Sequence, residues 1–510
     1  MLKKSLPILA SGLFALGLFS VPTLAGDAGP LAHRDDLIPK DRARVARVLK
    51  SDVDLEKAEP FERMSAGAAT SQKHINANAF SHPSQNLSFE EQQDFAVGNG
   101  LFRKLWVSSP SSTQASDGLG PLFNARSCQG CHLKDGRGHP PREGEDAVAL
   151  FLRLSVPPKT EEQRKAVESG AVLSIPEPTY GGQFQTFAVP GLKSEGRLEV
   201  DYEEFGVTLG DGTVVSLRKP TYRMTDLGFG PMADDVMTSP RVAPQMIGLG
   251  LIQAIHPGDI LAMADPEDAD GDGISGRISW VPDPATGERT IGRYGWKAST
   301  PSVRAQSAGA FAGDIGISTP DVPLNYGDCT KAQTECRVMP TGEQAHLGAS
   351  EAPDPVMRLV DFYSRNLAVP ARRDVDNVEV LAGKAVFHDL GCASCHRPKY
   401  VTSRKADIKA HRFQLIWPYT DILLHDMGEG LSDNRPVGSA SGAEWRTPPL
   451  WGIGLTETVS GQESYLHDGR ARTLEEAILW HGGEAEPAKN AYASLEKKDR
   501  DVLVRFLKSL

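Results

Sequence analysis

Two short segments of the sequence carry residue types and spacings that can do chemistry. Each has two cysteines separated by two residues and followed at once by a histidine, in Cys128–His132 and Cys392–His396. Two thiols at this spacing can add across the two vinyl groups of haem, and the adjacent imidazole then reaches the iron. We therefore predict two covalently attached haem groups with His132 and His396 as the proximal iron ligands. The predicted attachment residues are Cys128, Cys131, Cys392 and Cys395.

Two other chemistries also use a CxxC pair. A thioredoxin-like redox pair follows a βαβ pattern, and two CxxC pairs together can hold a zinc ion. In this sequence each pair is followed by a histidine and preceded by a predicted amphipathic helix. That context favours haem over both alternatives.

The N-terminal residues predict export. Lys3 and Lys4 precede the apolar run 6–18, which is too short for a comfortable membrane span, and small residues follow at 23–25. We predict a signal peptide over residues 1–25 and a periplasmic protein that is not integral to the membrane, with an uncleaved anchor as the alternative. In an oxidising compartment, Cys329 and Cys336 predict a local disulfide, with two free thiols as the alternative.

Helices must position the two haem motifs. Ser88 and Glu91 predict a capped helix start before the first motif, and residues 378–387 predict a helix before the second. Both helices contain Gly-x-x-x-Phe, which suggests two copies of one cytochrome c-like module. Residues 495–510 predict a final amphipathic helix that crosses its partner over the second haem.

A large insert separates the two motifs. Residues 149–154 alternate like a strand, and residues 207–217 predict a hairpin. Residues 243–254 are apolar nearly all round and predict a buried helix with Pro244 in its first turn. We expect a mainly α fold with an extension over 26–85, a first cytochrome c-like haem domain over 86–365 that contains the insert with its β hairpins, and a second over 366–510.

An acidic loop in the insert has part of the pattern of a calcium site. Asp268, Asp270 and Asp272 stand at alternate positions, and Gly273 occupies the sixth position of the loop. The twelfth position is Ser279 instead of glutamate, so other oxygen atoms would have to complete the shell. The loop predicts Ca²⁺ binding, with a solvated acidic turn as the alternative.

The formal net charge of −11 bears on the choice of partners. It argues against nucleic acid or an anionic membrane surface as the main partner. It is compatible with a basic partner such as a small electron carrier.

Three longer segments carry a family resemblance. They are residues 118–125, 292–298 and 465–470. From about Leu101 to the C-terminus, the chain resembles the di-haem oxidoreductase family, a long branch of the bacterial di-haem cytochrome c peroxidase superfamily. The resemblance implies that electrons enter at a C-terminal haem and reach a reactive N-terminal haem, where peroxide is reduced.

The resemblance also implies roles for single residues. In the superfamily a tryptophan relays electrons between the haems, a glutamine follows ten residues later, and an acidic residue lies beyond it in the peroxide pocket. Trp296, Gln306 and Asp314 match these places, although Asp314 comes two residues earlier than the pattern expects. His481 stands fourteen residues after His467, where the family has a methionine that ligates the second haem.

Several histidines compete for the iron. The helix predicted after His467 carries His481 on its apolar face, so we predict His396 and His481 as the ligands of the second haem. His425 is the next candidate, and His467 is interpreted as a hydrogen-bonding loop residue. His139, in a loop after the first motif, is interpreted as a solvated residue, which leaves the second ligand of the first haem open.

Together these features predict a peroxidase-like oxidoreductase. We expect a small cytochrome or a cupredoxin as the electron donor and peroxide as the substrate. Two alternatives stay open: a di-haem oxygenase that uses O₂, and a plain electron-transfer cytochrome in which both irons have two protein ligands. Access of small ligands to the first iron discriminates an enzyme from a carrier.

Overall fold

A computed structural model describes residues 29–50, 54–344, 346 and 348–510 of the chain. The predicted signal peptide lies outside these residues. Within the described ranges, every helix is too short or too polar to span a bilayer.

The described residues form 13 α-helices and 14 strands, most of them short. The α-helices are α1 Pro39–Val48, α2 Phe89–Arg103, α3 Cys128–Cys131, α4 Glu161–Glu168, α5 Leu249–Gln253, α6 Pro257–Leu261, α7 Val303–Ala310, α8 Asp354–Arg365, α9 Val378–Asp389, α10 Thr456–Ser460, α11 Leu474–Leu479, α12 Glu486–Ser494 and α13 Lys497–Ser509. The π-helical turn Phe311–Ile315 directly continues α7.

The strands pair two by two in this part of the chain. They are β1 Val107–Ser108, β2 Asp117–Leu119, β3 Leu122–Phe123, β4 Leu150–Ser155, β5 Phe187–Ala188, β6 Arg197–Thr208, β7 Val214–Thr225, β8 Met237–Val242, β9 Trp280–Pro282, β10 Arg289–Ile291, β11 Tyr400–Val401, β12 Leu415–Ile416, β13 Leu424–Asp426 and β14 Glu444–Arg446. The pairs are β1 with β2, β3 with β5, β4 with β8, β6 with β7, β9 with β10, β11 with β12, and β13 with β14; β1 and β2 run parallel and the others antiparallel.

The expectation of a mainly α fold is wrong. Helices account for 29% of the structure and strands for 16%, so irregular segments dominate. The composition explains this outcome, because 50 glycines and 36 prolines interrupt both kinds of element. The predicted hairpin exists but is longer than expected, since β6 and β7 have 12 residues each.

Two pairs of crossing helices support the haem motifs. Helix α2 packs on α8, and α9 packs on α13. A Cβ atom at Gly98 would lie 2.3 Å from the carbonyl oxygen of Leu359, and one at Gly383 would lie 2.0 Å from that of Val502. Each glycine of the two Gly-x-x-x-Phe segments therefore allows direct contact between two helix backbones.

The helix ends follow the sequence closely. The Ser88 side chain accepts a hydrogen bond from the Glu91 amide, and Glu91 caps Ser88 in return, as predicted. The two helices predicted over residues 378–387 and 495–510 are present as α9 and α13.

The described part of the N-terminal extension lies against the body of the protein. Ser71 pairs with Pro370 in an isolated bridge, and Pro83 pairs with Leu367. Glu62, almost fully buried, forms ion pairs with Arg372 and Lys384. These contacts attach the extension to the segment that joins the two helix pairs.

The buried helix predicted over residues 243–254 is wrong in its first half. Only Leu249–Gln253 is helical. The Pro244 carbonyl accepts a hydrogen bond from the His132 ring, and Gly248 has a left-handed backbone with φ of 71°. The segment therefore stays extended beside the first motif before it turns into α5.

Cys329 and Cys336 are joined in the structure, with their Cα atoms 6.1 Å apart. The bond closes a short loop that packs on Leu122, close to the residues that lead into the first haem motif.

Candidate functional site

One cavity of about 900 Å³ reaches both CxxCH motifs. Its wall includes all four motif cysteines, His132 and His396. Such a volume, with a mostly apolar wall and a few convergent polar groups, is typical of a cofactor site. The cavity therefore brings together the two motifs that lie more than 250 residues apart in the sequence.

The two motif histidines have the same hydrogen-bonding arrangement. His132 Nδ1 lies 2.8 Å from the Pro244 carbonyl oxygen, and His396 Nδ1 lies 3.1 Å from the Tyr419 carbonyl oxygen. A donor role for Nδ1 leaves Nε2 as the nitrogen that can bind a metal. Burial lowers the pKa of both imidazoles to about 4, which favours the neutral form that ligates iron.

The motif thiols fit attachment better than they fit a redox pair. Reactive CxxC pairs have lowered thiol pKa values. Here burial raises the pKa of Cys128 and of Cys392 to about 12. Free thiols on a buried apolar wall, each pair beside an oriented imidazole, match the donor set that haem attachment requires.

Trp296 lies on the same cavity wall and is 7% exposed. Its Nε1–H donates to the Val242 carbonyl, at 2.8 Å, two residues before the Pro244 that supports His132. Its own carbonyl accepts from the Arg446 amide in β14. The Arg137 guanidinium lies 5.1 Å from the centroid of the Trp296 ring. Trp296 thus contacts Arg137, five residues after the first motif, and β14 in the C-terminal part of the chain.

Gln306 and Asp314 also line this cavity. Gln306 accepts a hydrogen bond from Thr300 at 2.9 Å. The Asp314 carbonyl accepts from the amides of Asn124 and Ala125, directly before the first motif. Burial raises the pKa of the Asp314 carboxyl, which favours its protonated form. The short spacing between Gln306 and Asp314 therefore does not remove Asp314 from the cavity.

Gln183 is a site residue that sequence reasoning missed. Its Nε2 lies 2.9 Å from Asp314 Oδ1 and 2.7 Å from Asn124 Oδ1. It fixes the Asp314 carboxyl against the segment that enters the first motif. An isolated glutamine in an irregular segment carries no sequence pattern that could have revealed this role.

The predicted helix ends before His481 instead of carrying it on its apolar face. Thr473 caps α11, and His481 follows two residues after its end. His481 Nδ1 lies 2.7 Å from the Ala477 carbonyl oxygen, which leaves Nε2 for a ligand. His481 lines the cavity together with His396, and burial lowers the pKa of both imidazoles.

The other candidate histidines have different surroundings. Both ring nitrogens of His425 bind carboxylates, Asp421 at 2.7 Å and Glu484 at 2.6 Å. The ring of His467 stacks on Trp445 with centroids 3.7 Å apart. Because both of its ring nitrogens are bound, His425 is less suited than His481 to ligate iron. His467 instead takes part in an aromatic stack. His139 lies outside the cavity wall.

Two of the three predicted calcium-binding aspartates lie together in the acidic loop, and a different aspartate takes the place of the third. Oxygen atoms of Asp265, Asp268 and Asp270 lie within 4.8 Å of one another. Asp272 instead lines the haem cavity. Asp265 stands outside the alternating pattern, so the sequence motif did not include it.

Two partly buried CxxCH segments on one cavity define a protein built to hold two haem groups. The chain belongs to the family described as "Di-haem oxidoreductase, putative peroxidase", which it matches over residues 62–510. A hydrazine synthase structure from Kuenenia stuttgartiensis, pressurized with xenon, is 14% identical with a TM-score of 0.28; the match covers 73% of this chain and 95% of that one. No curated protein matches the chain.

Proposed function

We propose that this protein is an exported di-haem c-type cytochrome with peroxidase-like activity. One observation carries the proposal: the same cavity has a carboxyl and an amide near the first motif and a second imidazole near the second. The histidines on its wall besides His132 and His396 are His425, His467 and His481, all from the C-terminal part. The first motif is thus supported by acid-base groups and the second by a further ligand.

Haem attached at Cys128 and Cys131 would supply an iron at which peroxide accepts electrons. Asp314 carries the proton that cleavage of an O–O bond consumes, because its buried carboxyl retains a proton more readily than a solvated one. Gln183 holds that carboxyl in place. Gln306 offers an amide on the same wall to orient a small polar substrate.

Trp296 passes single electrons between the two haem sites. Its indole is buried on the shared cavity, and its Nε1–H is bound by the Val242 carbonyl. The nearby Arg137 guanidinium disfavours a lasting positive charge on the ring, because like charges repel in a buried site. Arg137 thus favours rapid relay over storage of an oxidising equivalent on Trp296.

His396 and His481 would hold the iron of the second haem, because both imidazoles line the same cavity and both have Nε2 free for a metal. Two imidazoles give a low-spin iron, and they give a lower reduction potential than a histidine with a methionine. A small cytochrome or a cupredoxin in the periplasm would then deliver electrons to this haem.

The acidic loop supplies a calcium site in this proposal. Asp265, Asp268 and Asp270 offer hard oxygen atoms, the ligands that Ca²⁺ prefers. Backbone carbonyls and water would complete the shell. Ser275, just after this loop, donates to Glu484 at 2.5 Å, so the loop contacts the segment that follows His481.

Electron paramagnetic resonance of the oxidised and half-reduced protein, with and without peroxide, tests the proposal. We expect one ligand-accessible haem and one low-spin haem. Two low-spin haems whose spectra do not change when ligands are added would indicate an electron carrier instead. O₂ consumption in place of peroxide reduction would indicate an oxygenase.

Trp296→Phe tests the electron path. We expect both haem spectra to survive and turnover with peroxide and a reduced donor to fall roughly tenfold or more, since an aromatic ring that is much harder to oxidise replaces the relay. Trp280→Phe is the matched control, because Trp280 lies in β9 and is 37% exposed, outside the cavity wall. Equal turnover in wild type and Trp296→Phe would assign Trp296 to the core.

A further inference from the structure

His425 is held more tightly than a loop histidine needs to be. It lies in β13, is 2% exposed, and bonds Asp421 through Nε2 and Glu484 through Nδ1. Both carboxylates are themselves largely buried, with side-chain exposures of 4% and 12%. Bonds between ionised groups are about twice as strong as neutral ones, so this ring connects its two partners firmly.

One partner, Asp421, belongs to the segment that supports His396, and the other, Glu484, belongs to the segment that carries His481. Asp421 comes two residues after Tyr419, whose carbonyl oxygen lies 3.1 Å from His396 Nδ1. Glu484 comes three residues after His481. The His425 ring thus links the support of one axial imidazole to the loop of the other.

The loop that carries His481 is built to approach β13 closely. Gly483 has φ of 54°, and a Cβ atom there would lie 2.3 Å from the Asp426 carbonyl oxygen. Glu484 Oε1 also accepts hydrogen bonds from the Asp426 amide, at 3.2 Å, and from Ser275 Oγ, at 2.5 Å. Several donors and a backbone contact therefore converge on Glu484, one of the two acidic residues that His425 binds.

We propose that His425 is a positioning residue that fixes the His481 loop over the second haem and keeps that iron closed to other ligands. The link through Glu484 holds His481 in place, and its loss frees His481 to leave the iron. The inference rests on the proposed function because it takes His481 as the sixth ligand. It adds a positioning residue that lies beside the Cys395 thiol, with His425 Nδ1 3.6 Å from Sγ, and that acts through Glu484 instead of binding iron.

The test uses the full-length protein with both haems attached. Imidazole is added to oxidised wild type, Glu484→Ala and Glu484→Gln, and its binding at the second haem is followed by absorbance and paramagnetic resonance. We expect Glu484→Ala to bind imidazole roughly tenfold faster than wild type, because the charge-assisted bond to His425 is lost. Glu484→Gln keeps one acceptor oxygen, so it should bind imidazole at a rate between those of wild type and Glu484→Ala.

Glu486→Gln is the matched control. Glu486 is exposed, lies two residues from Glu484, and pairs with Lys489 at the surface. It should bind imidazole at the wild-type rate. If Glu484→Ala fails to mature, Glu484→Gln and His425→Gln carry the same comparison, and wild-type rates in both would overturn the proposal.

The paramagnetic resonance spectrum of the wild type distinguishes failure of the proposed His396 and His481 coordination from failure of the proposed role of His425. A second haem without two imidazole ligands would refute the proposed coordination, whatever His425 does. A wild type with two imidazole ligands, together with unchanged imidazole binding in the Glu484 variants, would refute the role of His425 alone. A broadened low-spin signal in Glu484→Ala that narrows in Glu484→Gln would support it.

Discussion

The two CxxCH modules share the arrangement of a phenylalanine between the motif histidine and a ring of the crossing helix. Phe102 packs on Tyr363 with ring centroids 5.2 Å apart and lies 6.2 Å from the ring of His132. In the second module, Phe387 packs on Phe506 at 5.2 Å and lies 6.4 Å from His396. A glycine four residues before each phenylalanine allows the helices to touch.

The modules differ in what the chain supplies to the rest of the cavity. The first is accompanied by Gln306 and by Asp314, which Gln183 fixes. The second is accompanied by His481, held by Glu484 and His425. A shared helix crossing can thus orient a proximal imidazole in both modules, while loops outside the crossing decide which chemistry each iron performs.

Loss of one attachment thiol in each module should have the largest effect. We expect Cys131→Ala and Cys395→Ala each to weaken or abolish covalent retention of one haem, because one thioether can no longer form. A haem stain on a denaturing gel and a pyridine haemochrome assay measure the loss. Absence of covalent haem from the wild type would refute the interpretation of both motifs.

Replacement of His481 sharpens the difference between the modules. His481→Met should keep the second haem low-spin, raise its reduction potential, and add a sulfur-to-iron charge-transfer band, since methionine ligation raises the potential. His481→Ala should open the second iron to added imidazole. His467→Gln serves as the comparison, because the His467 ring stacks on the Trp445 ring and is not proposed as an iron ligand. An unchanged spectrum and potential in His481→Ala would exclude His481 as the ligand.

The helix crossings can be tested in parallel. Gly98→Ala and Gly383→Ala should each lower the free energy of unfolding by about 2 kcal/mol, because the new methyl group meets a backbone carbonyl and forces the helices apart. Gly100→Ala is the control in α2, since its Cβ has no neighbour within 4 Å. Helix propensity predicts that this control gains roughly 0.5–1 kcal/mol. Thermal unfolding of the haem-loaded protein measures all three.

Features with a local sequence rule could be predicted. The capping box at Ser88 and the helix cap at Thr473 depend on neighbouring residues alone. Helical periodicity predicts His481 on the apolar face of α11, whereas the helix ends at Leu479 and His481 follows in the next turn. These rules describe each haem module well.

Features that depend on distant partners could not be predicted. His132 lies 112 residues before Pro244, and its ring donates to the Pro244 carbonyl in the half of the segment that is not helical. Gln183 reaches Asp314 across 131 residues. The mainly α expectation failed because the helical modules were recognised, whereas glycines and prolines interrupt regular elements along the rest of the chain.

The acidic loop should give the smallest effect and tests whether the modules are linked. Asp270→Asn removes one charge from the group formed with Asp265 and Asp268. A ligand at 100 times its Kd stabilises a protein by about 2.7 kcal/mol, so a chelator should lower the unfolding temperature of wild type by a few degrees. Asp270→Asn should have a lower unfolding temperature than wild type, and the chelator should lower it less. Asp283→Asn, in the turn after β9, should have the unfolding temperature and chelator response of wild type.

Because Ser275 connects the loop to Glu484, the chelator should also speed imidazole binding at the second haem and leave the first unaffected. Metal analysis that finds no calcium in wild type, with no response to chelator, would make the loop a solvated turn.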